Sequence, residues 1–464
     1  MSFDVQKQGF AQSITTMINM AVDPIQCMRA IGLDRPSARL FTTGPKRYRS
    51  LTVLYLAGGE HVRPVFSAPD IFHTSNPPMR YPGGGAPARL RRGLIGNQGA
   101  EHTHYRASFT AQTGRAMMQE FSVAVATHAD AFLRKMPEDE PVDIVAMIND
   151  LVRYYAVVTM FKDDNPEFAL QVGRHITAWI DLAYDARNIL APLNIPGLPH
   201  ARFRRAANAL ESEILEWAAQ RRGMDAKRDL LSMFVNGPDE NGQPLPDDRL
   251  TGHIMTLYAS SFSSSVASLI WSLFLLMQHP DIAHDLCDEL DASGIDPLTD
   301  PMKLLELPLL DRVLKECMRL FTPVPYQVRR VAQPIQVGNV MLQESNKVLI
   351  GSWATNRMAS TYTDAERFKP DRWLTEEIGP FDYLTFSAGP RRCVGYGLAM
   401  VIVKVTLATI LLKRRPHLLE NTRIDTRVAI TLRSKQPIPV VMAGRNARMV
   451  RAAVHGTVSN LYAA

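Results

Sequence analysis

The longest apolar pattern in the chain runs from Ile254 to Met277 without a charged residue. Asp247 and Asp248 precede it, where carboxylates favour a helix N-terminus, and Pro280 stops it after His279. The pattern predicts a helix of roughly 30 residues, about 45 Å long at 1.5 Å per residue. Such a run is long enough to span a bilayer. Its middle, Ser260-Ser261-Phe262-Ser263-Ser264-Ser265, makes a poor lipid-facing surface, so it reads as a buried helix crossing the protein. Mid-helix serines bond back to carbonyls a turn earlier and bend a helix locally, which leaves room for a small ligand beside the backbone.

Other apolar patterns predict further helices. Residues 108–235 read as mostly helical, with helical spacing at Pro141–Ile148 and Ala201–Gln220. A helix opens at Gly99 and runs through Phe121; others cover Leu309–Leu320 and Tyr396–Leu412. Leu51–Leu56 and Lys347–Ile350 carry the β-branched and aromatic content of strands. Tyr81-Pro-Gly-Gly-Gly85 is a loop of the kind that often covers sites. Ile189–Pro199 is an apolar, proline-rich connector, either a helix–helix loop with buried leucines or a lid over a lipophilic entrance.

The 464 residues contain no linker, repeat or low-complexity block, so they read as a single domain with peripheral tails at 1–20 and 444–464. Residues 1–23 lack the apolar run of a secretory signal or an anchor. Cys27, Cys287, Cys317 and Cys393 lie far apart with no C-x-x-C spacing. That argues against structural zinc and a disulfide scaffold, and fits the reducing cytoplasm. The net charge of +6 is moderate and no nucleic-acid motif accompanies it.

Candidate chemistry concentrates at Phe386-Ser-Ala-Gly-Pro-Arg-Arg-Cys-Val-Gly395. Cys393 sits in a turn just before an apolar helix, where the helix field favours a thiolate. A thiolate held there is a metal ligand or a nucleophile. The spacing Phe386, Gly389, Arg391, Cys393, Gly395 resembles the haem-ligand loop of the cytochrome P450 family. Upstream, in the same order as in that family, stand His102-x-x-x-Arg106, Glu316-x-x-Arg319, Arg330 on a strand, and Phe368-Lys-Pro-Asp-Arg372. The resemblance covers roughly residues 20 to 440. It implies a mainly α fold with small β-sheets, haem b (iron protoporphyrin IX) between the long helix and the cysteine loop, and Cys393 on the iron. It further implies that His102, Arg106 and Arg330 hold haem propionates, while Glu316, Arg319 and Arg372 form a buried ion network bracing the loop.

On that resemblance the chain is a monooxygenase using dioxygen and two electrons. No flavin or dinucleotide fingerprint is present, so the electrons come from a ferredoxin or flavodoxin-type partner. Arg391, Arg392, Lys404, Lys413, Arg414 and Arg415 are candidates for an acidic partner's docking surface, or serve as solubilising charge. A monomer with no membrane span is expected. The family's acid–threonine pair on the central helix falls here, counting back from Pro280, at Ser263 and Ser264, and no Asp or Glu lies between Thr251 and His279. A serine hydroxyl carries a proton but does not supply one as a carboxylate does. The expected relay is therefore atypical. The alternatives are peroxide use, a rearrangement, or a haem-binding protein without turnover. A lipophilic substrate is expected in a pocket walled by Leu94, Ile95, Tyr258, Phe262, Val266, Val324, Val328 and Leu432.

Overall fold

The computed structural model describes residues 3–43, 51–75, 84–159, 162, 165–185, 187–188, 192–222 and 229–463. The expected loop at Tyr81–Gly83 and the start of the connector at Ile189–Ala191 lie outside the described residues. The fold is mainly helical with small sheets, as expected. Its principal helices include α1 (Gly99–Gln112), α2 (Arg115–Arg134), α3 (Ile144–Tyr154), α4 (Pro166–Ala183), α5 (Pro199–Arg221), α6 (Asp247–Gln278), α7 (Pro308–Leu320) and α8 (Tyr396–Lys413).

α6 contains the long uncharged run; it has 32 residues and is buried along nearly its whole length. α6 and α8 are each long and apolar enough to cross a membrane, but most of their apolar stretch is buried inside the protein. Both are core helices: α6 packs against α3, α7 and α8, and α8 against α2.

The largest sheet has strands β1 (Gln6–Lys7), β2 (Ser37–Thr43), β3 (Leu51–Ala57), β4 (Phe72–Thr74), β5 (Gln327–Val331) and β6 (Lys347–Ile350) in the order β1-β2-β3-β6-β5-β4. β3 and β6 run parallel, with Val53 opposite Lys347, and β5 lies antiparallel to β6 and β4. Leu54, Leu56, Val348 and Ile350 form its buried face.

Three local expectations are corrected. The predicted helix from Gly99 to Phe121 breaks at Thr113-Gly114. The Thr113 hydroxyl and amide both bond to the Phe109 carbonyl, and Gly114, in extended backbone, starts a new helix. Pro141–Asp143 is a strand paired with Pro439–Val441, and the helix begins only at Ile144. Asp143 Oδ1 accepts from the Val145 amide at 2.9 Å, an N-cap that starts α3. The 444–464 segment is not peripheral. Its Met449, Val458 and Leu461 are buried, and Tyr462 Oη bonds Gln278 at the end of α6 at 3.1 Å. Arg357, fully buried, donates to the Leu461 and Arg319 carbonyls at 2.9 and 3.1 Å, tying the tail to the end of α7.

Glu316 and Arg319 on α7 are fully buried, joined at 2.9 Å by two parallel bonds. Arg372 Nε reaches Glu316 Oε1 at 2.9 Å, the Lys369 amide donates to it at 3.0 Å, and Trp373 Nε1 donates to Oε2 at 3.2 Å. Arg372 also pairs with Glu376 at 2.8 Å. Burial alone pushes the Glu316 carboxyl up. Arg319 and then Arg372 outweigh it and hold the group below the usual carboxylate range. Removing one member leaves the others buried and unpaired, so Glu316→Gln is expected to lower unfolding free energy by about 3–5 kcal/mol in a denaturant titration. Because the folded pKa is depressed, this stabilisation is present above the ordinary carboxylate pKa and lost as pH falls through the folded value. Acid unfolding of the wild type should therefore lose more stability below about pH 4 than the variant does.

Candidate active site

The cysteine loop is held from both sides. The Cys393 amide donates to the Phe386 carbonyl at 2.9 Å and closes the turn. Gly389 has φ +64°, and a Cβ there would lie 2.6 Å from the Phe66 carbonyl oxygen, so the turn requires glycine. Asn356 Oδ1 accepts from the Leu384 amide at 2.7 Å, and its Nδ2 donates to Thr385 Oγ1 at 3.2 Å. Thr385 in turn bonds the Met318 carbonyl on α7 at 3.1 Å. The Glu316 network thus reaches the loop through Arg319, which donates to the Asn356 carbonyl at 2.9 Å.

Cys393 opens into a cavity of about 410 Å³. Two opposing influences act on this sulfur. Burial raises the thiol pKa, and the pull of the Gly395 amide, Arg106 and Arg392 in the other direction does not overcome it. A bound metal ion would be needed to hold this sulfur deprotonated. Burial raises Cys27, Cys287 and Cys317 as well; these three face the core and are inert.

Beside the cysteine the cavity is crowded with cations. His102, Arg106, Arg329, Arg391 and Arg392 line it, and no Asp or Glu does among the described residues. Arg391 Nη1 is buried with no partner among them. Burial lowers Arg329 to about 10, and Arg391 adds to the shift. His102 falls to about 4 through burial and the same neighbours, Arg391 and Arg106. Such a cluster needs an anion. Arg330 was expected to take part and does not. Adjacent strand residues point to opposite faces, and Arg330 points outward to Glu344 at 3.8 Å and His73 at 3.4 Å. Its neighbour Arg329, 4% exposed, lines the cavity instead.

α6 forms another wall. Thr256, Ser260, Ser264 and Ser268 lie on one face. Ser264 Oγ donates to the Ser260 carbonyl and Ser268 Oγ to the Ser264 carbonyl, each at 2.9 Å, and Ser260 bonds Thr256 in the same way. Their protons are used within the helix, which leaves lone pairs for the cavity. Ser263, also lining the cavity, accepts from Arg433 Nη2 at 3.4 Å. Arg433 Nη1 bonds Asp181 on α4 at 3.0 Å.

Leu94, Ile95, Val324 and Val328 line the cavity as expected. Tyr258, Phe262 and Val266 do not. Their i, i+4, i+8 row faces the opposite side of α6: Tyr258 packs against Gly173 on α4, and Arg153 on α3 lies over the Phe262 ring. Leu432 is buried in the structure behind the wall, its carbonyl accepting from Trp271 Nε1 at 2.9 Å, while Ala429, Ile430 and Thr431 reach the cavity. Trp179, Phe234 and His253 were missed. His253 sits one residue before the uncharged run, and a histidine on so apolar a helix was a usable signal. Of the connector, Leu193 and Ile195 are each 53% exposed, which removes the reading of buried leucines for that part.

The proposed basic docking set also largely dissolves. Lys404 and Arg415 are buried, Lys404 pairing with Asp311 at 2.8 Å. Lys413 pairs with Asp130 and Arg414 with Glu138, each at 2.5 Å, and Arg391 faces the cavity. Arg392 is exposed.

The family model for cytochrome P450 matches residues 49–438, most of the chain. The chain belongs to the cytochrome P450 family. Similar relatives include a pentalenene oxygenase of Streptomyces avermitilis, 25% identical over 330 residues, 69% of this chain and 72% of the relative. A putative cytochrome P450 135B1 of Mycobacterium bovis is 25% identical over 422 residues, covering 86% and 85%. The cyanobacterial CYP120A1 solved with retinoic acid aligns with a TM-score of 0.75 at 21% identity, covering 87% of this chain and 91% of that one, a likeness of fold. This P450 is therefore a haem-thiolate monooxygenase that uses dioxygen and an external electron donor. The cavity fits a haem: a thiol, a cationic rim with an orphaned guanidinium nitrogen for carboxylates, and an otherwise largely apolar lining.

The exchange of Arg330 for Arg329 is checked by haem retention. Arg329→Gln should increase the rate of haem transfer to apomyoglobin by about tenfold or more, as expected for losing a buried charge pair. Arg330→Gln should leave that rate within about twofold, as for an exposed pair.

Proposed function

We propose that this P450 hydroxylates, or oxygenates in a related way, a lipophilic small molecule, drawing two electrons from a ferredoxin or flavodoxin-type protein. It works as a cytoplasmic monomer with haem b. In this reading Cys393 ligates the iron, and His102, Arg106, Arg329 and Arg391 hold the propionates. When bound, the haem with its thiolate ligand supplies the activation of dioxygen. The chain supplies binding, dryness and protons.

One observation carries the reading: a single cavity joins Cys393 to the hydroxyl face of α6, with no carboxylate in its lining among the described residues. Leu94, Ile95, Phe109, Ile180, Val324 and Val328 make its wall apolar, which supports a lipophilic substrate. Ser263 and Ser264 occupy the positions of the family's acid and alcohol. Arg433 donates to the Ser263 oxygen, and this leaves the Ser263 proton free to turn into the cavity. Ser264, its own proton given to a carbonyl, accepts. Together they orient water rather than replace a carboxylate. Exposed Arg392, whose carbonyl accepts from Arg106, is a cation of the cysteine loop that supports contact with an acidic donor.

A second reading, use of peroxide without a redox partner, is favoured by the missing carboxylate. Purified protein supplied with a ferredoxin system should form oxygenated product; product with hydrogen peroxide alone would favour the second reading. Ser263→Asp with Ser264→Thr restores the usual pair. It should change the ratio of product to peroxide released per reductant consumed, and an unchanged ratio would refute the relay. Cys393→Ser should abolish the long-wavelength Soret band of the reduced, carbon monoxide-treated protein; survival of that band would show the ligand assignment to be wrong.

A further inference from the structure

Most polar groups lining the cavity already have protein partners. Ser260, Ser261, Ser264 and Ser268 of α6 bond to carbonyls and Ser263 to Arg433, Thr385 bonds to Met318, and Gln327 to Ser387. Arg391 Nη1 is accounted for by a propionate. Thr74 and Ser265 carry unpartnered hydroxyls, but a hydroxyl rotates to suit its surroundings. Two buried groups cannot re-aim so easily. Trp179 on α4 is 3% exposed, lines the cavity, and its Nε1 has no partner among the described residues. Its ring is stacked on Phe203 at 5.3 Å, which fixes the direction of the N–H. An indole nitrogen donates and never accepts. His253 on α6, 1% exposed, also lines the cavity. Asn97 Nδ2 lies 3.3 Å from its Nε2, so Nε2 accepts and the proton sits on Nδ1. Nδ1 has no partner among the described residues, and Tyr105 and Phe234 clamp the ring at 4.2 and 4.8 Å.

We propose that the substrate is already oxygenated: an apolar skeleton bearing a carbonyl, hydroxyl or ether oxygen that accepts from Trp179 Nε1–H, with His253 Nδ1–H offering a second donor. A desolvated donor left unpaired penalises a bare hydrocarbon, and an acceptor on the ligand removes that penalty. The donors therefore select for an acceptor more than the apolar wall selects for any one skeleton. His253 supports this as a neutral ring, since burial and Arg249 push its pKa down to about 3. The inference rests on the lipophilic substrate of the proposed function and narrows its class.

The test uses the holoenzyme and matched ketone and hydrocarbon probes: nootkatone against valencene, 2-adamantanone against adamantane, and 5α-androstan-17-one against 5α-androstane. Dissociation constants come from the haem spin-state change and from calorimetry. At least one ketone should bind about tenfold or more tightly than its hydrocarbon, the ratio expected for one buried hydrogen bond. Trp179→Phe keeps the stacked ring and should reduce that ratio to below about threefold while leaving hydrocarbon affinity within about twofold. His253→Gln should reduce the ratio by a smaller factor. Equal binding of every pair, no ketone binding at all, or a ratio unchanged by both variants would overturn the proposal. These are equilibrium titrations independent of electron donor and proton relay. Failure of turnover would count against the proposed function alone.

Discussion

A carboxylate with no access to water sits at the centre of this fold. Glu316 is stable there because Arg319, Arg372, Trp373 and the Lys369 amide all donate to it. The remaining guanidinium donors of Arg319 and Arg372 go to carbonyls of Asn356, Thr363, Asp364, Ala365 and Arg367. One buried charge therefore fixes the backbone of the irregular segment between β6 and the cysteine loop. That segment has little regular structure to hold itself in place. The loop inherits its rigidity through Asn356 and Thr385, which is why a turn of short hydrogen bonds can present a sulfur at a defined place.

The electrostatics of the cavity follow a different rule. Around Glu316 cations and anions balance. Beside Cys393 they do not, since His102, Arg106, Arg329 and Arg391 line one space with no acid among the described residues of its lining. Burial depresses the pKa values of Arg329 and His102, and the neighbouring guanidinium groups add to both shifts. Cations gathered this closely repel one another, and a dianionic group would relieve that repulsion. These cations would favour an anionic cofactor, and its negative charge, not the cations, would raise the fraction of His102 that carries a proton.

Much of this was legible in the sequence because the motifs are local. Cys393, Glu316, Arg319, Arg372, His102 and Arg106 fall where their spacing placed them, and α6 follows from an uncharged run between two carboxylates and a proline. What was not legible depends on direction. Arg329 and Arg330 differ by one residue on a strand, and sequence carries no mark of which faces in. Tyr258, Phe262 and Val266 share a helix face, but on a helix buried all round the hydrophobic pattern does not say which face meets a cavity. The contacts that decide it, Gly173 and Arg153, come from other helices. Lys404 reads as surface charge because its partner, Asp311, lies far away in the chain.

The serines of α6 make sense in the same terms. In this P450 the position where the family places an acid lies against Arg433, whose charge is already met by Asp181 on α4. A second carboxylate on α6 would compete with Asp181 for one guanidinium. A serine accepts from Arg433 without adding charge and still presents a hydroxyl to the cavity. The carboxylate that meets Arg433, Asp181 on α4, is not part of the cavity lining. It is partly exposed, and Arg433, which does not give up its proton, stands between it and Ser263. In the proposed relay Asp181 would orient Ser263 through Arg433, and the proton would travel through water held by Ser263 and Ser264.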